Sequence, residues 1–197
     1  MEAPLKTLTL LYTARLCGDL ESLPRLSAFL RRLRGEFRAE TTLLLDLGEA
    51  CASGVWHCDV TEGRSMLLGL DGMGYDAARV TGYLSAAARA KLEAMGEILH
   101  LRLLDADQSY DHAGLRIDPV PGEAILLEEG GRLRLAAVAA LEVGVAHLFA
   151  EVGVWRLASS GVYRLPPGSP PDPTIAGLID FILAEAEQTR RKRGGAG

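Results

Sequence analysis

The chain alternates short, wholly apolar runs with stretches in which apolar residues recur every three or four positions, and this predicts a parallel sheet with crossover helices. Residues 7–13 (TLTLLYT) read as a strand buried on both faces, because so short an apolar run suits a sheet that is covered on both sides. A helix follows. Ser22 offers a cap, Pro24 sits in the first turn, and Gly35 ends it. Leu23, Leu26, Phe29, Leu30 and Leu33 line its dry face, while Arg25, Arg31, Arg32 and Arg34 take the wet one. A second buried strand is expected over 41–47 (TTLLLDL), running into Gly48 and Glu49. After an irregular stretch, 50–63, come a helix through Met66, Leu67, Leu70 and Met73 closing at Gly74, and a short strand over 77–81. An Ala-rich helix capped by Ser85 and a fourth strand over 98–104 complete this half.

The second half reads as antiparallel. Gly130 and Gly131 separate two strand-like runs, 124–128 and 132–139, and paired glycines supply the positive φ angles of a tight hairpin. Residues 152–157 and 161–165 look like another antiparallel pair. The segment 166–173 (PPGSPPDP) suits neither helix interior nor central strand and reads as a linker. It leads to a last helix from Thr174 to about Arg190, with Ile175, Leu178, Ile179, Ile182 and Leu183 in one stripe. One domain over 1–189 is expected, followed by a basic, Gly-rich tail over 190–197.

Composition narrows the function classes. With 48% apolar and 24% charged residues the chain is an ordinary globular one, and 26 acids against 21 bases give a net charge of −5 that disfavours nucleic acid as the partner. No window is long and apolar enough for a membrane span, and the apolar run 8–12 is too short for a signal peptide. Three cysteines, Cys17, Cys51 and Cys58, are an odd count without framework spacing, so thiols in a reducing, cytoplasmic setting are expected.

Several strings together resemble the metallophosphoesterase domain of the 5'-nucleotidase family, a branch of the calcineurin-like phosphoesterases. Residues 12–21 (YTARLCGDLE) stand where that family has a string like HTNDTHGHLE, and 24–34 (PRLSAFLRRLR) matches its ARLATLIKQLR-type helix. Residues 43–49 (LLLDLGE) are similar to LLLDAGD, and 73–83 (MGYDAARVTGY) to MNALGYDAVTLGNHEFD. Later segments, 103–107, 130–141 and 163–178, follow the family's order more weakly. The resemblance implies a shortened four-layer α/β/β/α sandwich.

It also implies a degenerate metal site. Two-metal phosphoester hydrolysis needs Asp, His and Asn ligands on loops at the strand ends. Arg15 and Cys17 stand at the first carboxylate and imidazole positions, Glu49 at the bridging Asp, and Gly82 and Tyr83 at the Asn-His pair. The family's SHLG and GHTH strings are absent from the sequence. An Arg15 guanidinium beside Glu49 would offer that carboxylate a bidentate partner and oppose a dication. On this reading the chain is a catalytically inactive relative serving as a binding or interaction scaffold, with no cofactor. The alternative is an active phosphoester or nucleotide hydrolase holding a divalent cation such as Mn or Zn through unorthodox ligands.

Asp46, Cys51, Trp56, His57 and Cys58 are the candidate cleft residues. Cys17, Cys51, His57 and Cys58 supply zinc-type donors without a C-x-x-C spacing, and Asp46 reads more simply as bonded to loop amides. Asp105, Asp107, Asp111 and His112 form an acidic cluster, while His100 and His147 read as core histidines. A homo-oligomer through a sheet edge uncovered by the missing segments is a further expectation.

Overall fold

Leu8, Leu10, Leu11 and Tyr12 are fully buried in β1 (Lys6–Thr13), so the first strand has both faces covered, as apolar residues on both faces require. The computed structural model describes residues 6–194 except Thr81, Glu97 and Pro119. Residues 1–5 and, of the tail expected over 190–197, residues 195–197 lie outside the described residues. After β1 come α1 (Leu23–Glu36), β2 (Thr41–Asp46), α2 (Trp56–Thr61), α3 (Arg64–Gly72), β3 (Ala77–Arg79), α4 (Ala86–Ala94) and β4 (Arg102–Leu104). There follow β5 (Tyr110–His112), β6 (Leu115–Ile117), β7 (Leu126–Glu128), β8 (Arg132–Arg134), β9 (Glu142–Glu151), β10 (Val154–Arg164) and α5 (Pro173–Gly194).

Ten strands make two sheets. The larger runs β10-β9-β1-β2-β3-β4, with β1 to β4 parallel and β9 and β10 antiparallel at one end; the smaller runs β5-β6-β8-β7. Alternation along β1 divides the interior in two. Leu11, with Leu44, Val143 and Val145, meets Leu26, Leu30, Leu70 and Ile179 of the helices. Leu8, Leu10 and Tyr12, with Leu43, Leu45 and Leu148, meet Leu115, Ile117 and Leu133 of the second sheet. The expected α/β fold of two facing sheets with helices outside is therefore present. Each of the five helices contributes to the core on one face of the larger sheet, and the outer residues of β6 and β8 (Arg116, Arg132, Arg134) are exposed. No helix among the described residues is long and apolar enough to cross a membrane.

Several local expectations change. The 50–63 stretch contains α2, and β4 is confined to its last three residues. Ser22 makes no side-chain cap: its own backbone is already helical, at φ −82° and ψ −18°, and its N–H donates to Asp19 Oδ1 at 3.0 Å. Residues 152–157 and 161–165 are not a pair. They are one strand, β10, with a bulge between Leu157 and Ser159, and its partner is β9, reached through a Val152-Gly153 turn at φ 51° and 79°. Residues 158–160, expected between the two strands, are part of β10, and Gly161 is a strand residue with the Tyr163 ring against it. The basic segment expected as a tail continues α5 as helix to Gly194, and Arg193 reaches Glu62 at 2.6 Å.

Gly144 of β9 lies under the Tyr12 ring, whose hydroxyl donates to Ala136 O at 3.0 Å; a Cβ at that position would overlap the ring. Gly144→Ala is expected to lower stability by about 3 kcal/mol through overpacking. Gly177→Ala, on an exposed position of α5 with open space around it, is expected to add about 0.5–1 kcal/mol by helix propensity. Chemical denaturation of both variants checks the pair.

Candidate functional site at the strand ends

Parallel pairing of β1 with β2 continues past the strands into their loops. Leu47 N donates to Thr13 O (2.8 Å), Arg15 N to Gly48 O (3.0 Å), Cys17 N to Glu49 O (2.9 Å) and Gly18 N to Ala50 O (2.7 Å). Arg15, Cys17 and Glu49 all adopt left-handed backbone there, at φ 57°, 49° and 59°. Such conformations cost non-glycine residues roughly 1 kcal/mol or more each and concentrate at functional sites. Arg15 Nε lies 3.4 Å from Glu49 Oε2, with both side chains more than half exposed. An ion pair this open contributes roughly 0–1 kcal/mol. Its consequence is local, since the carboxylate faces a cation.

Beneath the loops lies a buried polar network. Thr13 donates to Asp46 Oδ2 at 3.1 Å, so the Tyr75 hydroxyl, 2.9 Å from Thr13 Oγ1, must donate to Thr13. Gly48 N donates to Asp46 Oδ1 at 3.0 Å, which is the loop-amide role expected of that carboxylate. Burial outweighs these bonds and the neighbouring Arg79 charge, and pushes the Asp46 carboxyl up to about 7. Burial also pushes the Tyr75 phenol up.

Arg79 was not singled out by the sequence reading, although a cation within the buried string AARV was a signal for it. Its side chain crosses from β3 to carbonyls of two loops, Leu47 O and Gln108 O, both at 3.5 Å, and its Nε has no hydrogen-bond partner. Among the described residues no carboxylate lies within ion-pair distance of it, and burial lowers its pKa. A guanidinium buried this way is costly unless neighbouring dipoles hold it. Glu49, Cys51, Arg79, Val80 and Tyr83 border a narrow cleft of about 30 Å³.

The remaining expected residues scatter. Gly82 is exposed at φ 70°, and the Tyr83 hydroxyl donates to Asp59, an interaction that raises its pKa. Asp46 and Cys58 are buried below the surface and do not line the cleft. Cys51 and Cys58 are disulfide-bonded, not thiols, because the turn into α2 brings their Cα atoms to 5.8 Å; Cys17 is free and exposed. His57 is a buried structural residue. Its Nε2 lies 2.9 Å from Gly18 O and its Nδ1 2.9 Å from Ser65 Oγ, so neither nitrogen is left for a metal or for a cysteine, and burial lowers its pKa. Trp56 is 38% exposed, with the Arg190 guanidinium 5.3 Å over its ring. His147 is half-buried and bonded to Thr9, while His100, expected in the core, is exposed. Asp105 of the acidic cluster pairs with Arg89 at 2.7 Å.

No group of three or more His, Cys, Asp or Glu residues that could hold a metal ion forms among the described residues. A dinuclear centre needs several anionic or imidazole donors around each ion. The loops after β1 and β2 offer Glu49, already paired with a guanidinium, and the exposed Cys17 thiol, with Asp46 buried beneath them and Asp105 after β4 paired with Arg89, so the residues present do not fit such a centre.

Because the folded-state pKa of Asp46 lies above its ordinary 3.8, the folded chain holds the extra proton between about pH 4 and 7. Its contribution to stability is full below pH 4 and is lost as pH rises through 7. Asp46→Asn should therefore gain on the wild type by on the order of 2–4 kcal/mol between pH 4 and 8. His57, whose lowered pKa acts in the opposite sense, cancels in this difference; urea denaturation at each pH measures it.

No family model and no curated protein matches the chain. Solved structures do. A calcineurin-like phosphoesterase from Bacillus subtilis superposes with a TM-score of 0.51 at 10% identity, over 95% of this chain and 100% of that one. The NAD nucleotidase of Haemophilus influenzae superposes with a TM-score of 0.58 at 8% identity, over 96% of this chain and 61% of that one. This chain thus spans about three-fifths of the nucleotidase. At such identities the likeness speaks for the architecture alone: the chain has a metallophosphoesterase-like, nucleotidase-like fold.

Proposed function

We propose that the chain is a catalytically inactive scaffold on the metallophosphoesterase-like fold, binding a ligand or partner without hydrolysing phosphate esters. What carries the reading is the Arg15 to Glu49 ion pair at the ends of β1 and β2, where the chemistry of this fold class requires carboxylates and imidazoles around dications. A fixed guanidinium there neutralises the one carboxylate and repels divalent cations. Gly82 brings no donor atom of its own to the same end of the sheet, and the Tyr83 hydroxyl is already spent on Asp59.

Space argues the same way. Small-molecule sites usually enclose about 300–1,000 Å³, whereas the cleft at the strand ends measures about 30 Å³. A nucleotide has no room in it. A cytoplasmic setting belongs to this proposal on condition that the Cys51 to Cys58 bridge is reduced in the cell.

The purified chain is expected to show no turnover of p-nitrophenyl phosphate, bis-p-nitrophenyl phosphate or AMP above the blank with Mn²⁺, Zn²⁺ or Mg²⁺ added. Elemental mass spectrometry is expected to find no stoichiometric metal. Bound metal, with turnover that disappears in Glu49→Gln, would overturn the proposal in favour of a hydrolase with unorthodox ligands.

A further inference from the structure

β10 closes one end of the larger sheet, and among the described residues no strand pairs with its outer side. It is eleven residues long, and most of them are exposed, including Val154, Val162 and Tyr163. Free edges are usually blunted by lysine, proline or inward charge. β10 has no lysine and no proline, and its only charges are Arg156 and Arg164.

The hairpin determines which backbone groups are free. Leu165 N donates to Leu141 O at 2.9 Å, so alternation turns the peptide groups of Tyr163 and Gly161 towards β9 and leaves those of Arg164, Val162 and Ser160 facing outward. Before the bulge, the two-residue turn makes Val154 an inward residue, and the outward ones are Trp155 and Leu157. Side chains alternate as well. Trp155, Leu157, Val162 and Arg164 lie opposite Ala150, Leu148, Gly144 and Glu142, on the face towards the second sheet. Arg156 and Tyr163 lie opposite Phe149 and Val143, on the helix face.

We propose that β10 pairs antiparallel with the β10 of a second copy of this chain, setting Trp155 against Arg164, Arg156 against Tyr163 and Leu157 against Val162. In this register outward backbone meets outward backbone on both flanks, and the members of every pair share a face. Each arginine lies across from an aromatic ring, a favourable cation–π pairing, and the aliphatic pair sits between them. The residues nearest the two-fold axis, Ala158, Ser159, Ser160 and Gly161, are small, as two facing bulges require. A slip of one residue in one direction sets Arg156 against Arg164 and pairs outward with inward backbone. A slip of two keeps the backbone match but gives up both arginine–aromatic pairs, so those pairs favour the stated register of a closed, isologous dimer.

Size-exclusion chromatography with light scattering on the full chain at tens of micromolar should give twice the 21.1 kDa chain mass. Val162→Pro removes an outward N–H while sparing the β9 ladder, and should halve that mass with the circular dichroism spectrum unchanged. Should that variant fail to fold, Leu157→Cys with Val162→Cys in a Cys17→Ser background decides. Mild oxidation should give a covalent dimer, and Val154→Cys with Val162→Cys, out of register, should not. A monomeric wild type, a Val162→Pro protein that remains dimeric, or equal cross-linking of the two cysteine pairs would overturn the proposal.

Discussion

The structure depends on burying one strand on both faces. β1 forms a parallel ladder with β2 on one side and an antiparallel ladder with β9 on the other, while its side chains alternate between the helix core and the inter-sheet core. No polar residue on such a strand survives without a partner, and those of β1 have them. Thr9 donates to Phe37 O and contacts His147, Tyr12 donates to Ala136 O, and Thr13 donates to Asp46. Each bond ties the central strand to a different part of the chain.

The site inherits its geometry from this strand. Because the β1 to β2 ladder runs on into the loops, Arg15 and Glu49 are delivered side by side by backbone hydrogen bonds, not by their own attraction. The network of Asp46, Thr13 and Tyr75 supports the same strand ends from below. At these strand ends an ion pair lies on the surface and a buried guanidinium, Arg79, underneath.

Elements with one clear period were legible in the sequence. The 3.6-residue stripe of α1 and the solid apolar runs of β1 and β2 appear where expected. β9 was missed because residues 143–150 (VGVAHLFA) are apolar on both faces and lack turn residues at the start, and β10 was divided because the small residues 158–160 (ASS) carry no strand signal. Of the site, the strand-end positions of Arg15 and Glu49 were legible because they are local to the strands. His57 was not: the Gly18 carbonyl that holds it is 39 residues away, and only the folded chain brings the two together. The cysteine pair was hidden in the same way, since a seven-residue separation becomes a bridge only once the chain turns into the short helix that carries Cys58.

The pairing of β1 with β9 has a consequence for how the molecule is made. Lys6 pairs with Ala150, so β1 leaves the ribosome and waits for a strand synthesised well over a hundred residues later. Until then one flank of β1, with its N–H and C=O groups, is open. Contacts between such distant segments are slow to form, and exposed strand edges recruit other chains. The nascent protein is therefore vulnerable to aggregation throughout the interval between the synthesis of β1 and that of β9, and β9 is the segment that ends that exposure.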